Sequence, residues 1–358
     1  MLQNYPRLKH GLVRFSWYLL TFFVAITINF FLPRMGPSSP VDILMGKVSG
    51  AMDSQAARMK EETYLKEFGL VEVDDQGQVK RDEAGQPIRA SLWSQFFNYL
   101  FMSARGDLGS SIIQHPKKVA EIIATAIPWT LALQIPTVMI GWIVGNLLGA
   151  LAAYKRGIFD RVFYPLSLLV SAIPPFCFGI ILIYIFGITL RWFPAMGGYD
   201  DGLLPAFSWN FLASASYYYF LPFMSIFLIV LGGQAIGMRS MCIYELGTDY
   251  VKYSKQLGIK ESKILMYMFR NAMLPQLTGL ALALGTMVGG ALLTEMIFSY
   301  PGIGMAMLSA IQSSDYPVIQ GCTLLITVCV LIANFSVDIL IGFLDPRIKM
   351  QQTSGKGG

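Results

Sequence analysis

Apolar residues gather in six long runs along the chain, at 15–32, 129–153, 162–190, 217–236, 271–294 and 317–337, and none of these runs contains a charged residue. A hydrocarbon core of ~30 Å takes ~20 residues at the helical rise, so each run is long enough to be a transmembrane helix. The longest, 162–190, contains Pro174-Pro175, where it can tilt or bend. A different pattern holds between the first two runs. Trp93, Phe96, Phe97, Leu100 and Phe101 recur at i, i+3 and i+4, which predicts an amphipathic helix with an aromatic face. Such a face suits either the membrane surface or the packing of a small external subdomain. The stretch 71–90, VEVDDQGQVKRDEAGQPIRA, is polar and rich in turn residues and reads as a solvated hairpin or loop. The pattern predicts an all-α membrane protein with six transmembrane helices.

Charge placement orients these helices. Residues 1–14 carry Arg7, Lys9 and Arg14 with no acid, and the turn 154–161 carries Lys155, Arg156 and Arg161 against Asp160. Segment 237–270 holds Arg239, Lys252, Lys255, Lys260, Lys263 and Arg270 against Glu245, Asp249 and Glu261, and the tail holds Arg347, Lys349 and Lys356. These segments alternate with 191–216, where Arg191 is the sole basic residue, and 295–316, which has none. Short cytoplasmic loops concentrate Lys and Arg, so both termini are expected in the cytoplasm and 33–128 outside. The first run follows a basic stretch but Leu32 leads into Pro33-Arg34-Met35-Gly36, without a small-x-small cleavage site, and reads as an uncleaved anchor.

Composition agrees with this picture. The chain is 54% hydrophobic and 14% charged, with a net charge of +5, whereas a soluble domain carries about 25% charged residues. Of the four cysteines, Cys177, Cys322 and Cys329 fall in apolar runs and Cys242 at the edge of a basic loop, which gives no disulfide framework. His10 and His115 both lie outside the apolar runs, which argues against a metal or a histidine-based catalytic centre within the membrane. Stripes of small residues, Gly141/Gly145/Gly149 and Ala281/Gly285/Gly289, allow close helix approach. For the first stripe, packing within the chain is favoured over a subunit interface.

The most informative stretch is the cytoplasmic one. Thr248 to Gly258, TDYVKYSKQLG, predicts a short amphipathic helix stopped by Gly258, which favours the left-handed conformation of a helix end. A second helix follows up to Pro275, where the next span is expected to begin. This stretch resembles the EAA loop of the permease subunits of binding-protein-dependent ABC importers, in its oligopeptide/dipeptide form. Asp249, Tyr250, Val251, Lys252, Gly258, Arg270, Asn271, Ala272 and Pro275 match that pattern. Ser254 stands in place of the usual alanine. Lys260 stands where a serine often caps the second helix, a loss that Glu261 in the first turn partly offsets through the helix dipole. Gly106-Asp107-Leu108-Gly109-Ser110-Ser111, Phe298-Ser299-Tyr300-Pro301-Gly302-Ile303-Gly304, Asp315-Tyr316-Pro317 and Leu344-Asp345-Pro346-Arg347 match further stretches of the family in the same order. The segment 71–90 looks like an insertion relative to shorter members.

The resemblance implies a machine. It implies a non-catalytic permease in the prokaryotic plasma membrane, paired with a second homologous permease, two ATP-binding subunits and an extracytoplasmic solute-binding protein, with no nucleic-acid partner. It divides the chain into 1–32 (N-terminus and first helix), 33–128 (external segment with an interfacial helix), 129–344 (five-helix core with the coupling loop 237–274) and 345–358 (cytoplasmic tail). It assigns ATPase coupling to Asp249, Tyr250, Val251, Lys252, Ser254, Gly258, Arg270 and Asn271, with Tyr250, Val251 and Ser254 on the docking face. No Gly-x-x-x-x-Gly-Lys-Ser/Thr phosphate loop occurs in the sequence, so no cofactor is expected on this chain, and ATP and Mg belong to the partner subunits.

Glu295 and Asp338 lie at the ends of the fifth and sixth runs. An acid at membrane depth is a functional suspect, and an edge position equally permits a structural hydrogen bond, the favoured reading here. The competing function is an ion-coupled secondary transporter, which usually places ionisable residues deep in broken helices. None lies deep in these runs. An intramembrane enzyme would need a nucleophile with a buried histidine or a His-Glu-x-x-His helix, and the sequence has neither. Peptide and oligosaccharide both remain as cargo.

Overall fold

The structure, a computed structural model, describes residues 6–34 and 63–344, apart from 64, 67–68, 75–77, 84, 86, 156 and 291. The expected tail 345–358, with its Asp345-Pro346-Arg347 motif, and residues 35–62 of the external segment lie outside the described residues. The helices are α1 (Pro6–Arg34), α2 (Leu92–Ala104), α3 (Val119–Lys155), α4 (Ile158–Ser171), α5 (Pro175–Leu182, continued by a π-helical turn Ile183–Thr189), α6 (Trp209–Leu246), α7 (Asp249–Gln256), α8 (Glu261–Gly290), α9 (Leu292–Ile297), α10 (Ile303–Ser313) and α11 (Tyr316–Leu344). The described residues contain no strand. Isolated antiparallel bridges Val71↔Arg89, Val73↔Val79 and Arg81↔Pro87 join the described parts of the polar stretch 71–90.

Four of the described helices have segments long and apolar enough to cross a membrane: Arg14–Phe31 of α1, α3, α6, and Tyr316–Ser336 of α11. The run 162–190 bends at Pro174-Pro175, the place where its sequence allows a bend. It is broken into α4 and α5 with a bend of 101°, so it is either one broken span or a re-entrant pair. Pro174 sits extended at φ −59° and ψ 142°, as a residue before proline prefers, and Pro175 opens α5 where a missing N–H does no harm. The expected fifth span differs at its start. α8 runs from Glu261 through Pro275 without a break, joining the second cytoplasmic helix to the apolar run. Position 291 and several side chains of 274–290 lie outside the described residues.

The chain forms two compact units. In the first (1–18, 128–305 and 329–358), α4, α5 and α8 pack on α6. The glycines of α3 are used here. A Cβ on Gly145 would come within 2.6 Å of the Leu231 carbonyl oxygen, and one on Gly149 would overlap the Ala235 backbone. The stripe therefore lets α3 and α6 touch within the chain. In the same unit Arg239 of α6 grips Asp160 of α4 with Nε to Oδ1 at 2.5 Å and Nη2 to Oδ2 at 2.7 Å, its guanidinium 4.1 Å above the Tyr164 ring. In the sequence both charges bear only on orientation.

In the second unit (19–127 and 306–328), α2 packs on α1 through Phe96, whose ring lies 5.2 Å from Phe30 and 5.6 Å from Phe31. Asn29 Nδ2 donates to Tyr99 Oη at 3.1 Å and to the Gln320 carbonyl at 3.0 Å, and Gln320 Nε2 donates back to the Asn29 carbonyl at 3.3 Å. Polar ties of this kind replace the hydrophobic driving force between helices that lipid lacks. The aromatic face of α2 is divided: Phe96 is buried, whereas Trp93, Phe97 and Phe101 stay exposed.

Candidate functional site

Between α6 and α8 the chain makes a knob. α6 ends at Leu246, Thr248 precedes α7, and Asp249 stands in the first turn of α7, where a negative charge meets the positive end of the helix dipole. α7 closes in a Schellman turn. Gly258 donates to the Lys255 carbonyl at 3.1 Å and Ile259 to the Ser254 carbonyl at 3.1 Å, with Gly258 at φ +69°. A Cβ at Gly258 would meet nothing within 4 Å, so the demand for glycine is torsional and not steric.

The knob rests on an apolar seat. Val251 is buried with Ala150 and Ala153 of α3, Met238 and Cys242 of α6, and Ile264, Met268 and Ala272 of α8. Burying a valine of this kind contributes roughly 1.5–3 kcal/mol. This revises the expected docking face, because Val251 points into the chain. The outward side carries Tyr253 and Leu257, 67% and 74% exposed, among exposed Lys252, Lys255 and Gln256. The short amphipathic pattern carried this signal, and reading the whole motif as contact surface obscured it.

The other named residues fall into two groups. Asp249 and Lys252 pair on the surface at 3.0 Å, and Arg270 is exposed. Ser254 is half-buried and contributes its carbonyl to the turn. Tyr250 and Asn271, from the two halves of the motif, meet at Glu245, which the motif does not include. Tyr250 Oη donates to Glu245 Oε2 at 2.5 Å, and Asn271 Nδ2 donates to the same oxygen at 3.5 Å. Burial, and then the Glu245 carboxylate, push the Tyr250 hydroxyl above the usual tyrosine pKa.

Glu295 is fully buried in the first unit. Its Oε2 accepts from Gly304 N at 2.7 Å, and Thr130 Oγ1 accepts from Ile303 N at 2.9 Å, so both brace the turn 298–304. A Cβ on Gly302 would overlap the Glu295 carboxyl group, which explains the glycine there. Oε2 thus makes a structural bond, whereas Oε1 is buried without a hydrogen-bond partner among the described residues. Asp338 lies in α11, and its side chain is outside the described residues.

Asp315 ties two sequence motifs together in the second unit. Its carboxylate, 3% exposed, accepts from Ser111 Oγ, from Ile112 N at 3.1 Å and from Ile113 N at 3.3 Å. The Gly-Asp-Leu-Gly-Ser-Ser stretch and the Asp-Tyr-Pro stretch are thus one structural device. Their separation along the chain hid this from the sequence reading. Among the described residues no group of three or more His, Cys, Asp or Glu side chains could hold a metal ion.

Comparison with known proteins shows the family of this chain. Residues 145–350 match the family described as binding-protein-dependent transport system inner membrane component. The di/tripeptide transport system permease protein DppB of Pseudomonas aeruginosa is 33% identical over 350 residues, covering 93% of this chain and 96% of the relative. The dipeptide transport system permease protein DppB of Escherichia coli K12 is 31% identical, covering 91% and 95%. The oligopeptide transport system permease protein AppB of Bacillus subtilis is 27% identical, again covering 91% and 95%. Family, apolar helices and coverage together place this chain among the inner-membrane components of binding-protein-dependent ABC transport systems, as a non-catalytic, multi-pass permease of the prokaryotic plasma membrane.

Proposed function

We propose that the chain is one of two homologous permeases forming the translocation pathway of a peptide importer. Substrate arrives from an extracytoplasmic solute-binding protein, and ATP hydrolysis on two separate subunits, which hold ATP and Mg, drives transport. The names of the three relatives favour peptide over oligosaccharide as cargo. The six-span topology with cytoplasmic termini belongs to the same proposal. It places 33–128 and 191–216 outside and the knob within 237–274 inside, supported by the alternation of basic residues.

The observation that carries the reading is the knob. α7 is a short helix stopped by a left-handed glycine, seated on an apolar core and offering Tyr253 and Leu257 outward. A protruding two-turn helix with an exposed apolar tip suits a groove on a cytosolic partner. Asp249, Lys252, Gly258 and Arg270 share this exposed region, while Tyr250, Val251, Ser254 and Asn271 set its position.

The test uses single cysteines in an otherwise cysteine-free chain within the assembled complex. Leu257→Cys is expected to cross-link to an ATP-binding subunit and to escape an impermeant thiol reagent on intact cells. Gly202→Cys is expected to react from outside. Labelling of the Leu257 position from outside, or ATP hydrolysis by the isolated chain, would overturn the proposal.

A further inference from the structure

A two-turn helix can pass force to membrane helices only if its angle to them is fixed. The apolar seat under Val251 does not by itself supply this, because hydrophobic burial is non-directional and tolerates rocking. A directional tie stands beside it. Glu245, in the last turn of α6, presents the single oxygen Oε2 to Tyr250 of α7 and Asn271 of α8. Three consecutive elements meet at one atom.

The position of Glu245 argues for a purpose. An acid in the final turn of a helix faces the negative end of the dipole and is unfavourable there without compensation. The compensation comes from Tyr250, whose hydroxyl bond to a carboxylate is of the strong, charge-assisted kind. The Asn271 contact, at 3.5 Å, is longer and more easily broken. The tie is thus tight between α6 and α7 and looser between α6 and α8.

We infer that Glu245 is the positioning residue of the knob, holding α7 at a fixed angle to α6 and α8 so that a subunit bound to α7 moves both long helices together. This rests on the coupling role proposed for α7. Asp249 and Lys252 cannot serve in the same way, because their pair is local to α7 and solvent-exposed.

Two variants separate positioning from folding. Tyr250→Phe removes only the hydroxyl and keeps the ring on the apolar seat, and Glu245→Ala removes the shared oxygen. Spin labels at Ser240 of α6 and Gln256 of α7, in the full chain in lipid nanodiscs, report the angle as a distance distribution. The wild-type distribution is expected to be narrow and both variants broad, and the double variant no broader than Glu245→Ala alone. In the assembled complex, binding-protein-stimulated ATP hydrolysis is expected to fall roughly three- to tenfold, the scale of one hydrogen bond, with the ATP-binding subunits still co-purifying. Unchanged distributions in both variants, additive broadening in the double variant, or loss of the ATP-binding subunits on Tyr250→Phe would each overturn the inference. Failure of the coupling reading shows up separately, as absence of the Leu257 cross-link in an otherwise wild-type chain.

Discussion

Glu245 and Asp315 both join stretches that are far apart in sequence, and they do so in opposite physical regimes. Asp315 is buried and accepts three hydrogen bonds from the loop that carries Ser111, Ile112 and Ile113. Glu245 is half-buried and shares one oxygen between a short bond and a long one. A buried carboxylate that satisfies three donors is costly to disturb, because every donor would be stranded away from water. A half-exposed carboxylate loses less, since water can replace either partner. The first arrangement suits a part that must not move, and the second suits a part that keeps its angle while it moves with its neighbours.

The largest expected effect breaks the rigid end of this comparison. Asp315→Ala leaves Ser111 Oγ and two backbone N–H groups without their acceptor and is expected to cost about 3–5 kcal/mol. Asp315→Asn keeps an acceptor oxygen and is expected to lose about half as much. Thermal unfolding of the detergent-solubilised chain measures both. If Asp315→Ala melts within a degree of wild type, the tie is not structural and the contrast with Glu245 disappears.

A smaller effect is expected at the knob. Gly258 holds φ +69° in open space, so a side chain there meets strain of ~1–2 kcal/mol and no clash within the chain. Gly258→Leu is expected to leave the membrane helices inserted while transport and substrate-stimulated ATP hydrolysis fall together. Gly258→Asn tolerates the left-handed conformation and is expected to behave nearly as wild type. Uptake measured beside co-purification of the ATP-binding subunits distinguishes the two. Normal uptake and normal co-purification with Gly258→Leu would remove α7 from the coupling path.

Much of this was legible in the sequence because it is local. The apolar runs that became α1, α3, α6 and α11 follow from counting residues against bilayer thickness, and Gly258 from the torsion a helix end requires. What was hidden has two physical causes. First, proline is ambiguous inside a membrane helix. Pro174-Pro175 marks a possible bend in the sequence but not its size of 101°, whereas Pro275, a boundary in the sequence, is absorbed into α8. Second, tertiary pairing leaves no local trace. Glu245 lies 26 residues from Asn271, and Asp315 lies 204 from Ser111, so no window contains both partners. Val251 was misplaced for a related reason: a motif read as one surface has an inside and an outside, and packing on α6 and α8 decides which is which.

The smallest expected effect tests whether the knob has any rigid electrostatic tie of its own. Lys252 and Asp249 approach to 3.0 Å, but their side chains are 62% and 91% exposed and lie one helical turn apart. Water and salt screen such a pair, and holding two long side chains in one geometry costs entropy, so its worth is at most ~0.5 kcal/mol. Lys252→Ala also replaces a residue at a helix surface with the best helix former, which offsets part of that loss. The melting midpoint of Lys252→Ala is therefore expected to match wild type, and adding salt is expected to leave the two equal. A destabilisation as large as that of Gly258→Leu, fading as salt is raised, would mean that surface charge fixes α7. The knob would then be held by a second directional tie, and Glu245 would no longer be what separates its behaviour from that of the Asp315 region.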